Sequence, residues 1–293
     1  MASDICAYCG QASLTGSERA EHILPAAING RLTTKTVCDN CNTWAGQNID
    51  QPWLDDLFVR VTRYEHKVPD RRGNIIESDP LLGGQTADGV RIRIGRDGKP
   101  TALNSPVKRD DDAGEVHIIA KDEEDLKRLM KREITKAEAA GKAVSFGQAQ
   151  PTSRRPAVQV TNCIVPGRWE RMAAKLMLGL LADTQPEAWR LADSARDLRQ
   201  RMRDAPRPAN QVRLEPTEAF EPFAAKPCTA AVVVTLDGHA IGRVSLMGMW
   251  AITLALCDDL LGVDLAYVSD PLRPSKNVLG GIEHVVGTRQ GLL

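Results

Sequence analysis

The chain of 293 residues carries 38 Lys plus Arg against 38 Asp plus Glu, a formal net charge of zero, and 42% of it is apolar. That length allows about two domains and that composition supports ordinary globular cores, while the neutral balance gives no help to a bulk attraction for nucleic acid. No apolar run reaches the roughly 18 to 20 residues of a membrane span, and the MASDICAYCG start lacks a basic stretch and an apolar h-region, so the chain reads as soluble and cytoplasmic, with no membrane partner.

The first motif in chain order is a pair of Cys-x-x-Cys turns, Cys6 with Cys9 and Cys38 with Cys41. Each turn aims two thiolates at one point, and two such turns close a tetrahedral zinc site with Zn–S distances of about 2.3 Å. The spacer between them is longer than the roughly 15–20 residues of the simplest two-pair pattern, so something is folded inside it. Buried thiols or a redox pair are the other readings, and the redox reading predicts reversible dithiol chemistry without zinc; no thioredoxin-like strand–helix context surrounds the pairs. Cys163, Cys228 and Cys257 are scattered through apolar segments and read as buried thiols, not as a secreted disulfide framework.

The spacer carries Glu21-His22-Ile-Leu-Pro25. Hydrolysis of a phosphodiester needs an activated water and a way to stabilise developing charge. His22 suits the base, because neutral imidazole with an ordinary pKa of about 6.5 accepts a proton near neutral pH. Standing alone, it would read as a core or surface histidine. On an extended strand Glu21 and His22 point to opposite sides, so a shared site demands a twist or bulge. Asn42, just after the second pair, offers a hard amide oxygen for magnesium or manganese and equally suits a helix cap. Asn48 and Asp50 either extend the site or mark a helix-ending turn.

The order Cys-x-x-Cys, Glu-His-x-x-Pro, Cys-x-x-Cys-Asn, continued by Gly46-Gln-Asn-Ile-Asp50, resembles the HNH endonuclease family over about residues 4 to 56. The resemblance implies an α+β fold: a ββα-metal module in which one strand carries Glu21 and His22, a second enters the Cys38 turn and a helix follows. It implies structural zinc on Cys6, Cys9, Cys38 and Cys41, a catalytic magnesium or manganese on Glu21 and Asn42, and His22 as general base. The family usually has Asp before the His; Glu21 is longer by about one bond. For the family's middle Asn, Asn29 is the nearest candidate, while Thr33 or Thr34 occupies the better-aligned region.

Beyond the motif, Arg60, Arg63, His66, Lys67, Arg71 and Arg72 form a basic cluster suited to phosphates, with Asp55, Asp56, Glu65 and Asp70 interspersed as on a solvated helix face. Gly89 to Lys99 alternates apolar and basic residues, which predicts a hairpin strand with one solvated face; Glu115 to Ala120 reads as another strand, with His117 on its face. Leu126, Met130 and Ile134 predict a helix from Glu123 to Ala140. Then come a strand over Ala157–Val165, a helix over Trp169–Ala182, and a second helix over Pro186–Arg203. Asp193, Asp197 and Asp204 give the arginines of 190–207 ordinary surface partners. Two strands, Ala230–Thr235 and Ala240–Leu246, meet at an Asp237-Gly238 hairpin turn. Met247–Leu256 is a third strand or a buried helix. His239, in that turn, and His284 read as surface residues.

These readings divide the chain into a 1–58 nuclease module, a 59–150 accessory segment of hairpin plus helix, and a 151–293 helix-pair and hairpin domain, an N-terminal zinc-stapled module followed by a mixed α/β region. The expected function is metal-dependent hydrolysis of DNA, with RNA as another substrate class and a homodimer through the C-terminal region as a partner. The alternative is a non-catalytic zinc module that binds nucleic acid or a partner protein.

Overall fold

The computed structural model describes residues 5–11, 19–77, 80, 83–86, 89–94, 100–110, 114–120, 122–145, 147, 158–159, 165–204, 214–215, 227–274 and 277–285. They fall into two compact units, Met1–Ile76 with Cys163–Leu293, and Glu77–Asn162. Residues 1–58 therefore share a core with the last part of the chain, and the middle segment is a unit of its own.

The first unit begins with β1 (Glu21–His22), antiparallel to β2 (Thr33–Thr34), with Glu21 opposite Thr34 and His22 opposite Thr33. Between them Pro25 leads into a 3-10 turn, Ala26–Ile28, closed by Asn29 at φ 59°, a left-handed conformation that Asn tolerates. Gly30 follows where a Cβ would stand 2.2 Å from the Leu24 carbonyl oxygen. Gly30→Ala is therefore expected to destabilise this unit by about 3 kcal/mol, measured by chemical denaturation. A continuous helical run comes next: α1 (Asp39–Ala45), a π-helical turn (Gly46–Asp50) and α2 (Gln51–Leu54). Asp39 sits in its first turn, where a carboxylate is favoured by the helix dipole. In α3 (Leu57–Glu65) the Asp56 side chain caps the Phe58 amide at 3.1 Å. The order strand, strand, helix expected for the motif is the order that forms.

The second unit holds a four-stranded sheet and a separate hairpin. Its strands are β3 (Gly83–Thr86), β4 (Arg91–Ile94), β5 (Pro100–Ala102), β6 (Val107–Asp110), β7 (Glu115–Ile118) and, after α4 (Glu123–Ala139), β8 (Val158–Gln159). The sheet order is β5-β4-β3-β8, and β6 pairs with β7. Arg91 and Arg93 are exposed and Ile92 is half-buried, which is the alternation read from the sequence. The α4 start is capped by Asp122, whose side chain accepts the Asp125 amide at 2.7 Å. His117 is exposed beside Glu115. Of the strand expected over 157–165, Val158–Gln159 form β8 and Val165 instead caps the next helix; Ala157, 160–164 and with them Cys163 lie outside the described residues, as do 95–99.

The chain re-enters the first unit with α5 (Pro166–Thr184), which has proline in its first turn and buries residues on every side of the helix. The single helix expected from Pro186 to Arg203 is instead broken. A 3-10 turn, Glu187–Leu191, ends at an extended Ala192 with ψ 165°, and α6 (Asp193–Arg203) starts afresh. Trp189 is thereby buried in the core, and the Ser194 amide and hydroxyl both donate to Asp259 Oδ1, at 3.3 and 2.8 Å.

An antiparallel sheet completes the unit: β9 (Thr229–Leu236), β10 (His239–Leu246), β11 (Trp250–Ala255), β12 (Leu265–Ser269) and β13 (Val278–Gly280), in the order β11-β10-β9-β12-β13. The β9–β10 turn has Asp237 at φ 51° and Gly238 at φ 78°, the paired left-handed conformation of a two-residue hairpin that favours Asp-Gly. Of Met247–Leu256, Trp250–Ala255 forms a strand, after a turn over 247–249 with Met247 at φ 54°. Cys228 is buried, whereas Cys257, expected to be buried, is half-buried just before a 3-10 turn, Asp258–Leu260. His239 and His284 are exposed, His239 as the first residue of β10. Among the described residues no helix is long and apolar enough to cross a membrane.

Candidate active site

Two neighbouring sites are built on the ββα segment. In the first, the ligand atoms of Cys6, Cys9, Cys38 and Cys41 all lie within 4.8 Å of one another. The first pair is held by a tight turn in which the Gly10 amide donates to the Cys6 carbonyl at 2.8 Å; the second sits where α1 begins. The Cys38 amide donates to Cys6 Sγ at 3.3 Å. The Cys6 thiol is drawn down to about 4 by the hydrogen bond from Cys41, against burial, with the backbone of Cys38, Cys9 and Tyr8 assisting. Four converging soft ligands with one thiolate already favoured fit a tetrahedral zinc ion.

Arginines from the C-terminal helices hold this zinc turn. Arg190 Nη1 donates to the Ile5 carbonyl at 3.1 Å, and Arg199 Nε to the Ala7 carbonyl at 2.7 Å. Arg203 donates to the Tyr8 carbonyl at 3.2 and 3.3 Å and to Cys41 Sγ at 3.3 Å, with its guanidinium over the Trp44 ring at 4.7 Å. Surface pairing was the expectation for this stretch. It holds for Arg196 with Asp193 and Arg201 with Asp197, but Arg190 and Arg199 are buried and serve the zinc turn. A zinc ion on four thiolates carries net negative charge, which these cations offset. Arg203→Met is accordingly expected to weaken zinc retention about ten- to a hundredfold, read by competition with a chelator.

The second site surrounds β1. Glu21 and His22 keep the alternation of an extended strand: Glu21 is 3% exposed and His22 is half-buried at the surface. Beneath the strand, the ammonium of Lys175, on α5 and 0% exposed, lies 2.7 Å from Glu21 Oε1 and 2.7 and 2.9 Å from the two Asp50 oxygens. It also donates to the His22 carbonyl at 3.0 Å. Burial raises the Glu21 and Asp50 carboxyls, opposed by Lys175. Burial alone would lower Lys175, but Asp50 and Glu21 outweigh it and hold the ammonium above its usual range. Tyr8, wholly buried, is pushed well up by burial and by the charges of Glu21 and Asp50.

On the outer side, Arg71 Nη1 lies 3.2 Å from His22 Nε2. A guanidinium can only donate, so Nε2 is the lone-pair nitrogen and the proton resides on Nδ1. Burial lowers the His22 pKa, with Arg71 and Lys175 adding and the Gly30 backbone and Asp50 opposing. The imidazole is therefore neutral at pH 7, with an acceptor nitrogen at the surface.

The remaining sequence-selected residues have these places. Asn42 is in the first turn of α1, and its Nδ2 donates to the Arg19 carbonyl at 3.5 Å. Asn48 donates to the Trp44 carbonyl at 2.9 Å within the helical run, away from the Lys175 cluster, which Asp50 joins. Asn29 donates to the Pro271 carbonyl at 2.8 Å, tying the motif loop to the C-terminal segment. Thr33 faces His22 across the hairpin, and Thr34 donates to Asp183 at 2.5 Å. Lys175 and Tyr8 were not singled out from the sequence.

A strand–strand–helix unit stapled by four thiols, with a histidine at the surface of its first strand, defines the class: a zinc-containing ββα module. An HNH endonuclease family model matches residues 6–58, and the four clustered cysteines of that segment fit a zinc-binding HNH module. No curated protein and no solved structure matches the chain.

The hard-cation donors fit less well than the thiols. Asn42 Oδ1 accepts no hydrogen bond among the described residues, but Glu21 already faces a buried ammonium at hydrogen-bonding distance. Glu21 and Asn42, as placed here, do not form a ready magnesium or manganese pair.

Proposed function

We propose that the N-terminal module hydrolyses phosphodiester bonds in DNA, with His22 as general base. The observation that carries this reading is the His22 ring itself: neutral, half-exposed, with its acceptor Nε2 directed to the surface beside Arg71. A water placed by the substrate phosphate at Nε2 would lose its proton to the imidazole, and Arg71 is positioned to exchange its histidine contact for a non-bridging phosphate oxygen. Asp50 and Lys175 fix the backbone under the ring. The tetrathiolate zinc holds the two strands and α1 together and takes no part in the proton transfer.

A magnesium or manganese ion on Glu21 and Asn42, as the family implies, would require the Glu21–Lys175 contact to open; it would supply charge stabilisation at the phosphate. A non-catalytic zinc module is the second reading, favoured by that same Glu21 contact. The test is incubation of the zinc-loaded chain with supercoiled plasmid, single-stranded DNA and RNA, each with magnesium, manganese or neither. Strand breaks in DNA support the nuclease. Saturable binding without breaks under every condition supports the binding module.

A further inference from the structure

The carboxylate pair at the heart of the module comes from within the family segment, but the cation between the carboxylates does not. Glu21 and Asp50 lie inside residues 6–58, and Lys175 arrives from α5, far along the chain. We propose that the Lys175 ammonium is the resident cation of the Glu21–Asp50 pair, so that this pair is closed to divalent metal and any divalent ion the reaction uses is held by other groups. The inference deepens the nuclease reading of the same site and rests on it only for the biological meaning of the metal, not for the metal binding itself.

The geometry supports it in three ways. An ammonium has three donors, and its hydrogen bonds run to both Asp50 oxygens and the His22 carbonyl at 2.7 to 3.0 Å, with Glu21 Oε1 beside it at 2.7 Å as its second ion-pair partner. Those are N–H···O distances, whereas magnesium needs oxygens at about 2.0–2.1 Å in octahedral array. The Lys175 side chain is 0% exposed, so a metal entering here would have to expel four packed methylenes with the charge. Finally, Asp50, the last residue of the π-helical turn, presents both of its carboxylate oxygens to the lysine, at 2.7 and 2.9 Å.

Manganese binding to the zinc-loaded chain, followed by electron paramagnetic resonance, tests this in wild type, Glu21→Gln, Lys175→Met and the double variant. The expected result is that Glu21→Gln leaves the manganese Kd within about twofold of wild type, because that carboxylate is not a ligand. A wild type that binds no manganese beyond zinc exchange gives the same support. Lys175→Met, once its cation is gone, is expected to gain a manganese site that disappears again in the Lys175→Met/Glu21→Gln variant. A fall in affinity of about tenfold or more in Glu21→Gln would overturn the proposal, since Glu21 would then be coordinating the ion. That comparison stands even where Lys175→Met fails to fold. DNA cleavage is not the readout, so an inactive protein would sink the nuclease reading without touching this one.

Discussion

Cys38→Ala is expected to release the zinc and melt the first unit as a whole, not the N-terminal turn alone. Structural zinc contributes an apparent 10–16 kcal/mol, roughly, in small zinc modules, which equals or exceeds the total stability of about 5–15 kcal/mol of an ordinary domain. The loss spreads because the zinc turn is a building block of a shared core. Arg190, Arg199 and Arg203 are anchored on carbonyls of Ile5, Ala7 and Tyr8, Trp53 meets Trp169 edge-on at 5.9 Å, and Asn29 holds Pro271. Once the turn opens, the buried guanidiniums of Arg190 and Arg199 lose the Ile5 and Ala7 carbonyls and keep the Ala182 and Arg190 carbonyls as acceptors. Zinc content and thermal unfolding followed by near-ultraviolet circular dichroism check this. Cys228→Ala, which removes a buried thiol outside the zinc group, serves as the control and is expected to cost only about 1 kcal/mol. A Cys38→Ala protein that keeps its melting transition would show that the C-terminal helices and sheet stand without the staple.

His22→Ala is expected to lower plasmid cleavage about 10²- to 10⁴-fold, the range lost with a general base, while zinc content and melting temperature stay at wild-type values. The pH dependence carries a sharper signature. A histidine base works when deprotonated, and burial with Arg71 and Lys175 lowers the His22 pKa below its ordinary 6.5. Activity should therefore rise with pH along an acidic limb whose midpoint lies below 6.5 and be level at neutral pH. Arg71→Ala removes one of the lowering charges, so its limb should move toward higher pH. A limb above 7 in the wild type would assign the titration to another group.

The zinc site was legible in the sequence because its four ligands are local in two short turns, and spacing alone aims them. The same locality let Glu21, His22 and Asn42 be singled out, and the opposed directions of Glu21 and His22 followed from strand alternation. What spacing does not carry is the partner each side chain meets. Lys175 lies on the apolar stripe of α5, three residues from Met172 and four from Gly179, and a lysine on such a stripe is the one sign that a buried anion waits for it. The arginines of α6 looked like surface residues because aspartates lie three and four positions away, and for Arg196 and Arg201 that pattern holds. For Arg190, Arg199 and Arg203 the acceptors are backbone carbonyls almost two hundred positions earlier, which no local pattern records. The break at Ala192 was hidden for a related reason, since the Ser194 contact with Asp259 that stabilises it is also distant in sequence. Strands β12 and β13 were missed because their pairing, β12 with β9 and β13 with β12, is set by the sheet and not by their own alternation: β12 is buried on both faces.

The most direct test is cleavage of supercoiled plasmid by zinc-loaded wild type and His22→Ala side by side at pH 7, with zinc measured on both. Nicking or linearisation by the wild type, lost in the variant at equal zinc content, is the predicted result. Equal cleavage by the two proteins would contradict the assignment of His22 as the base and with it the active site described around β1.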